Sequence, residues 1–416
     1  MTSKGKIIND PVHGFISIPG GLIQDVIDHP YFQRLRRIKQ LGLTDMVYPG
    51  AQHTRFHHAI GAMHLMGLAL ENLRHKGHPI SREEETAARL AILLHDVGHG
   101  PFSHALENSI LQDVHHEKMS LVFIDRLNFL LGGKLDMARD MFQGQYHRPF
   151  FNQLVSGQLD IDRIDYLRRD CFFSGVAEGA ISAERILSML DIHDDKLVVE
   201  EKGIYSIENF LSSRRLMYWQ VYLHKTTVSA EEMLIQLMRR ARALTGSGAR
   251  LSMTAALEPF FQRNFGWEDF ISDPAHLNAF SLIDDYDIWY CIKSWVSNPD
   301  FVLSFLSRGL MERRLLKVNI FGQPIGEDRL QELRENFQSG LGLSAEESTY
   351  LVFEKEVSNS AYISGGNQIF IKTRQGEIMD VANATDLPNI HAMATEVKKY
   401  IVCQPKPISL HSFAGK

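Results

Sequence analysis

The sequence predicts a mainly helical protein that ends in a small α+β region. Three observations carry that prediction. Apolar residues recur at helical spacing through most of the first 310 positions. Helix-start signals, Ser81 with Glu84 and Ser229 with Glu232, sit ahead of or within those runs. After position 310 the pattern changes to short β-rich runs around a helical one. The expected division is a core over 1–245, a helical extension over 246–310 and the α+β region over 311–416.

The elements follow in order. Residues 5–20 hold β-branched residues around Asp10-Pro11 and close on Pro19-Gly20-Gly21, which predicts short strands or a hairpin. Leu22 to Gln40 has helical spacing, with Gln33, Arg34, Arg36, Arg37 and Lys39 as its polar members. That set reads either as a solvated basic face or as a surface for phosphates or a partner. Thr54 to Leu73 is the next helix, and on it 58, 61, 62, 65 and 69 form a stripe able to press closely on a neighbour. Ser81 with Glu84 opens the helix that runs to Leu94, and Phe102 to Leu111 predicts a short helix. A further helix runs from His116 to Leu131, and another from Gln153 to Asp170. Residues 181–245 read as helical with a strand at Lys196–Val199, and Arg214 to Lys225 falls on one long helix. Short amphipathic helices fill 250–310. Beyond them come a strand at Lys317–Phe321, a helix at Asp328–Gly340, strands at Tyr350–Glu356 and Gln368–Thr373, and a final helix at Asn389–Val402.

Composition narrows the classes. A chain of 416 residues with 44% hydrophobic and 23% charged content reads as an ordinary globular protein. A net charge of −6 gives no global field favouring nucleic acid or an anionic membrane. No apolar run approaches the roughly 18 residues of a spanning helix. The three cysteines lie far apart without a CxxC, which suits a reducing compartment, and the expected location is the cytoplasm.

The chemistry centres on His95-Asp96-Val97-Gly98-His99-Gly100-Pro101, with His104 close behind. An adjacent His and Asp can converge on one ion only at a helix end, and the glycines and proline supply that end. Imidazole beside carboxylate is ligand chemistry for Zn, Mn, Fe and similar ions. Of 19 histidines, 11 fall between His53 and His116, so the pair is not an accident of composition. A His on 54–73, His95, Asp96 and an Asp on 157–170 would make four ligands from three helices. His57 and His58 are equivalent candidates by periodicity alone. Asp162, Tyr166 and Asp170 share one face, with Arg163 beside them. An ion so held can polarise a phosphoryl oxygen. His99 and His104 are suited to donate to phosphate, and no Ser, Cys or Lys stands in a nucleophile motif, so attack by water is the economical reaction.

These residues resemble the HD-superfamily phosphohydrolases, and among them the deoxynucleoside-triphosphate triphosphohydrolase branch that includes the vertebrate SAM-and-HD-domain enzyme. The resemblance rests on KIINDPVHG, FQRLRRIKQLG, YPGAQHTRFHHAIG, LLHDVGHGPFSHALE, HHE and LDIDRIDYLRRD, and covers about residues 5–230. It implies an HD-type helical core and one divalent transition metal (Fe, Mn, Zn or Ni) on His58, His95, Asp96 and Asp162, with Mg accompanying the nucleotide. It also implies His116 as the catalytic histidine with Glu107 as its acidic partner, and His99 and His104 at the α-phosphate. Arg55, Arg163, Tyr166, Asp170, Arg214 and Tyr222 would hold phosphates and sugar, with Gln40 and Leu41 at the ribose 3′ side. Asn9, Asp28, Gln33 and Arg36 match the positions of a regulatory nucleotide site. Arg163 stands where relatives carry Lys, and Leu223 where Gln is found. The implied partners are a nucleotide substrate and further copies of the chain, as a dimer or higher homo-oligomer. The implied reaction releases a deoxynucleoside and tripolyphosphate. The same metal site would serve a nucleotidase or phosphodiesterase acting on another ester, or a non-catalytic nucleotide sensor.

Overall fold

A computed structural model of the chain describes residues 5–102, 105, 106, 111, 114–359, 368–385 and 397–406. The fold is mainly helical, 57% by residue, with a few small sheets. The N-terminal hairpin pairs β1 (Lys6–Asp10) with β2 (Gly14–Ile18), the Asp10 carboxylate capping the turn through the Val12 and His13 N–H groups at 3.0 and 2.9 Å. Next comes a broken helical stretch rather than one rod. Helix α1 (Leu22–Asp28) stops before Pro30, which opens α2 (Pro30–Gln33), and a 3₁₀ turn spans Arg34–Arg37.

Two long helices form the middle of the core: α3 (Arg55–His75) and α4 (Arg82–Leu94). The expected box at Ser81 and Glu84 is present, each side chain meeting the other's backbone N–H at 3.0 and 2.8 Å. Around them pack α5 (His116–Leu130), α6 (Asp136–Gln143), α7 (Phe150–Val155) and α8 (Ile161–Ser174). The single helix expected over 153–170 is thus two, because the Asp160 carboxylate takes the N–H groups of Gly157 and Arg163 and starts a new helix there. The short helix expected at 102–111 falls mostly outside the described residues.

Helix α9 (Ala183–Met189) leads into the hairpin β3 (Leu190–His193) and β4 (Lys196–Glu200), followed by α10 (Ile204–Met217). The long helix expected through Arg214–Lys225 is interrupted by a π turn at Tyr218–Tyr222. Helix α11 (Lys225–Gly246) starts afresh, with the His224 ring accepting the Thr226 N–H at 3.2 Å. Ser229 and Glu232 are therefore not a capping box. They lie inside α11, where Ser229 Oγ donates to the Leu316 carbonyl at 2.8 Å and Glu232 pairs with Lys355.

Five helices extend the core: α12 (Pro259–Gln262), α13 (Trp267–Ser272), α14 (Pro274–Ser281), α15 (Asp285–Trp295) and α16 (Phe301–Met311). The remainder carries β5 (Lys317–Phe321), α17 (Glu327–Leu341), α18 (Ala345–Thr349), β6 (Phe353–Asn359), β7 (Phe370–Lys372), β8 (Ile378–Asp380), α19 (Val381–Ala384) and β9 (Val397–Gln404). Of the final helix expected at 389–402, residues 389–396 lie outside the described residues, and the rest is corrected by β9, the central strand between β5 and β6. Its β-branched Ile401 and Val402 are paired on both sides, and Val397 pairs with Asn359 of β6. Strand β7 runs parallel to β4, so the C-terminal region extends the core's own hairpin into a four-stranded sheet.

The basic set at 33–39 is only partly a surface. Arg34 is fully buried and donates to the carbonyls of Val97, His99, Ser281 and Ile283 at 3.2, 2.7, 3.2 and 3.1 Å. It fastens the turn after α4 to the helical extension.

Candidate metal centre

The turn after α4 is built for convergence. His95 closes the helix, and its Nδ1 faces the Ile92 carbonyl at 2.6 Å, which fixes the ring and aims Nε2 outward. Ser120 on α5 clasps the turn, accepting from Gly98 N–H at 2.9 Å and donating to the His95 carbonyl at 2.7 Å. Gly98 has to be glycine, since a Cβ there would lie 2.1 Å from Ser120 N and 2.4 Å from the His116 carbonyl.

Three helices then bring their donors together. The ligand atoms of His58 on α3, His95 at the end of α4 and Asp162 on α8 all lie within 4.8 Å of one another. Asp162 Oδ1 is 3.1 Å from His58 Nε2 and 3.3 Å from His95 Nε2, and the two imidazole nitrogens are 3.3 Å apart. Asp96 borders this group, 3.4 Å from His95 Nε2 and 4.0 Å from His58 Nε2, while its other contacts are the Arg55 guanidinium and His99 Nε2 at 3.2 Å. His57 turns away, its Nδ1 accepting the Thr54 N–H at 3.2 Å. Asp160, the first acid of the Asp-x-Asp, caps α8 and pairs with Arg163, so only Asp162 of the two faces the cluster.

The field here is anionic. Burial opposes charge on His58, yet hydrogen bonds to Asp162 and Asp165 outweigh it and hold the imidazole up at about 10. Burial likewise opposes charge on His95, and Asp96 and Asp162 still raise it. Burial pushes Asp162 upward, but His58 and His95 pull it below the ordinary carboxylate range. Two imidazoles and at least one carboxylate that demand positive charge between them fit a divalent transition ion.

Comparison with known proteins agrees with this geometry. Residues 55–170 match the family model described as the HD domain, and residues 181–252 match the HD associated region. A phosphohydrolase from Bacteroides thetaiotaomicron shares the fold with a TM-score of 0.93 and 49% identity, over 97% of this chain and all of that one. The protein YwfO of Bacillus subtilis is 32% identical over 394 residues, 91% of this chain and 88% of that one. This chain belongs to the HD superfamily of phosphohydrolases. The deoxynucleoside triphosphate triphosphohydrolase SAMHD1 homolog of Dictyostelium discoideum is 34% identical over 261 residues, 57% of this chain, and the match spans only 50% of that protein's length.

The remaining expected residues of this HD phosphohydrolase fall into groups. The His99 and His116 rings stack, with centroids 3.9 Å apart and 13° between planes. Burial holds His99 well below the ordinary imidazole range. Glu107 and His104 lie outside the described residues. On the other side, Tyr166 and Tyr222 meet edge-on at 6.3 Å. The π turn sends the Tyr222 hydroxyl to Asp170 Oδ2 at 2.7 Å, and Asp170 Oδ1 meets His53 Nε2 at 2.8 Å. Arg163 and Arg214 lie close enough to the Tyr166 hydroxyl to bear on its ionisation, although burial and Tyr218 act on it more strongly. Gln40 joins this wall through its N–H to the His53 carbonyl at 3.0 Å, and Leu41 packs against the core. Arg55 is already engaged by Asp96. Of the regulatory set, Arg36 Nε donates to Gln33 at 2.8 Å and its guanidinium covers the Phe56 ring at 3.5 Å. Asp28 pairs with Lys6 at 2.7 Å, on the strand that holds Asn9.

Sequence reasoning passed over His53, His13 and Asp165. Asp165 follows Asp162 by three, one helical turn later, and that spacing was the available signal. Among the described residues no helix is long and apolar enough to cross a membrane.

Proposed function

We propose that this HD phosphohydrolase cleaves deoxynucleoside triphosphates at the α-phosphorus, releasing a deoxynucleoside and tripolyphosphate. The observation that carries the reading is the meeting of His58, His95 and Asp162 from three separate helices, flanked by Asp96, beside the stacked His99 and His116. His58, His95, Asp96 and Asp162 would hold a divalent ion, whose chemistry when bound is to polarise phosphoryl oxygen and lower the pKa of water.

The chain's own residues supply the rest. His99, kept neutral by burial and held by Asp96, places an uncharged imidazole beside the α-phosphate. Water attacks phosphorus, the bond to the 5′ oxygen breaks, and that oxygen takes a proton from His116. Arg163, Arg214 and the Tyr166 hydroxyl gather at the β- and γ-phosphates. Asp170, oriented by His53 and Tyr222, with Gln40 and Leu41 at the sugar edge, selects a deoxyribose. The similarity to the Dictyostelium protein supports this choice of substrate over other phosphate esters. Three separate free cysteines agree with a cytoplasmic setting.

The test is a product assay. Protein loaded with Mn is incubated with each dNTP, and the inorganic products are resolved by ion chromatography. Tripolyphosphate in equal amount to deoxynucleoside is expected. Pyrophosphate or orthophosphate as the first product would replace this reading with a nucleotidase or phosphodiesterase, and no product with any nucleotide would favour a sensor.

A further inference from the structure

Behind the metal centre lies a buried chain of charges that ends in the N-terminal hairpin. Asp165 Oδ2 accepts from His58 Nδ1 at 2.8 Å, on the opposite side of the ring from the cluster. The same carboxylate takes Arg169 through Nε at 2.8 Å and Nη2 at 3.0 Å, and Arg169 Nη1 continues to Asp10 at 2.8 Å. Asp165 and Arg169 are wholly buried and Asp10 nearly so. His13, at the hairpin turn that Asp10 caps, closes on Asp165 Oδ1 at 2.6 Å. Helix α3 makes room at Gly61, where a Cβ would lie 2.1 Å from Arg169 Nη2 and 2.2 Å from Asp165 Oδ1.

We infer that Asp165 is a positioning residue for the metal centre, and that His13 and Asp10 make the N-terminal hairpin part of that centre. The inference rests on His58 being a ligand. A carboxylate is an acceptor only, so Asp165 requires the proton of His58 on Nδ1. The lone pair then sits on Nε2, which is the atom facing His95 and Asp162. Arg169 grips both oxygens of Asp165, so the carboxylate cannot rotate away from the ring. His13 adds a third donor from the hairpin. An outer carboxylate of this kind fixes both tautomer and orientation, and its loss weakens metal binding by about 10- to 100-fold. Arg169 is a poor test, since its removal strands two buried carboxylates.

The experiment uses full-length protein stripped with a chelator and titrated with Zn against a chromophoric competitor. Folding is followed separately by the thermal unfolding of the metal-free protein. Asp165→Asn keeps the size but turns an amide N–H₂ toward donors, and it is expected to weaken Zn binding about 10- to 100-fold. His13→Leu removes only the hairpin's donor and is expected to weaken binding several-fold, with His13→Gln, whose amide can donate, recovering it. This pair decides the matter even if Asp165→Asn does not fold. Unchanged Zn affinity in a folded Asp165→Asn, or equal loss in His13→Leu and His13→Gln, overturns the inference. His58→Ala separates the two levels. If it binds Zn as the unaltered chain does, the ligand assignment itself fails.

Discussion

The imidazoles of His99 and His116 lie face to face, 13° from parallel, although one belongs to the turn after α4 and the other opens α5. Ser120, one turn along α5, holds both ends of that turn. In the proposed reaction the stack would fix where a proton on His116 is delivered. Replacing His116 by Ala should lower kcat by about 10²- to 10⁴-fold with a small change in KM, as expected for loss of a general acid. His116→Phe keeps a ring against His99 and should lose as much. Steady-state kinetics of both variants decide this, and a Phe variant near full activity would reduce His116 to packing.

Arg34 predicts a structural effect of comparable size. Its guanidinium satisfies four carbonyls drawn from the turn after α4 and the helical extension. Arg34→Met fills similar space but leaves those oxygens without their donor. Destabilisation of at least ~3 kcal/mol is expected. Urea unfolding followed by circular dichroism measures it. Arg36→Met, on the half-exposed side of the same turn, should cost much less.

Arg34 also marks how far the sequence could be read. Helices with sustained periodicity, such as α3 and α4, were legible because apolar spacing and the Ser81 box are local signals. The His95-Asp96 turn was legible because its breakers are adjacent in the chain. Whether His57 or His58 faced inward was not, since both lie in the first turn of α3, and there the resemblance to a family supplied the choice. Arg34 read as one of several exposed cations, because nothing near it in sequence reveals the carbonyls of Ser281 and Ile283. Asp165 and Arg169 drew no reading at all, because their partners His13 and Asp10 lie about 150 residues away in the chain. β9 was misread because its centrality in a sheet is decided by β5 and β6, not by its own eight residues.

Asp191 ties the core to the C-terminal strands and gives a pH prediction. It meets His78 at 2.6 Å and Lys372 on β7 at 2.9 Å. Burial pushes its carboxyl up, but Lys372, His78 and the Ile192 N–H outweigh burial and hold it at about 2. A depressed carboxyl adds stability above its unfolded pKa of about 3.9 and loses it as pH falls toward the folded value. Asp191→Asn should thus melt below the unaltered chain at neutral pH, and the gap should narrow between about pH 4 and 2. Melting curves across that window test it. A gap that stays constant on acidification would mean that the carboxyl's charge is not what joins β3 to β7.

Removing the ion should loosen the site as well as stop turnover. Without a cation, Asp162 and Asp96 face each other's field through two imidazoles, and His58 and His95 relieve it by taking protons that a bound ion would exclude. Binding to the folded state alone adds about 2.7 kcal/mol at a ligand concentration one hundred times Kd. Chelated protein should therefore unfold earlier on heating, and Mn or Zn should restore the transition in proportion to the logarithm of its concentration. His95→Ala should abolish that restoration, whatever it does to the metal-free transition through the lost contacts to His58 and Asp162. Calorimetric scans of the two proteins with and without metal measure both effects. A metal-dependent rise that survives in His95→Ala would move the ion to other ligands.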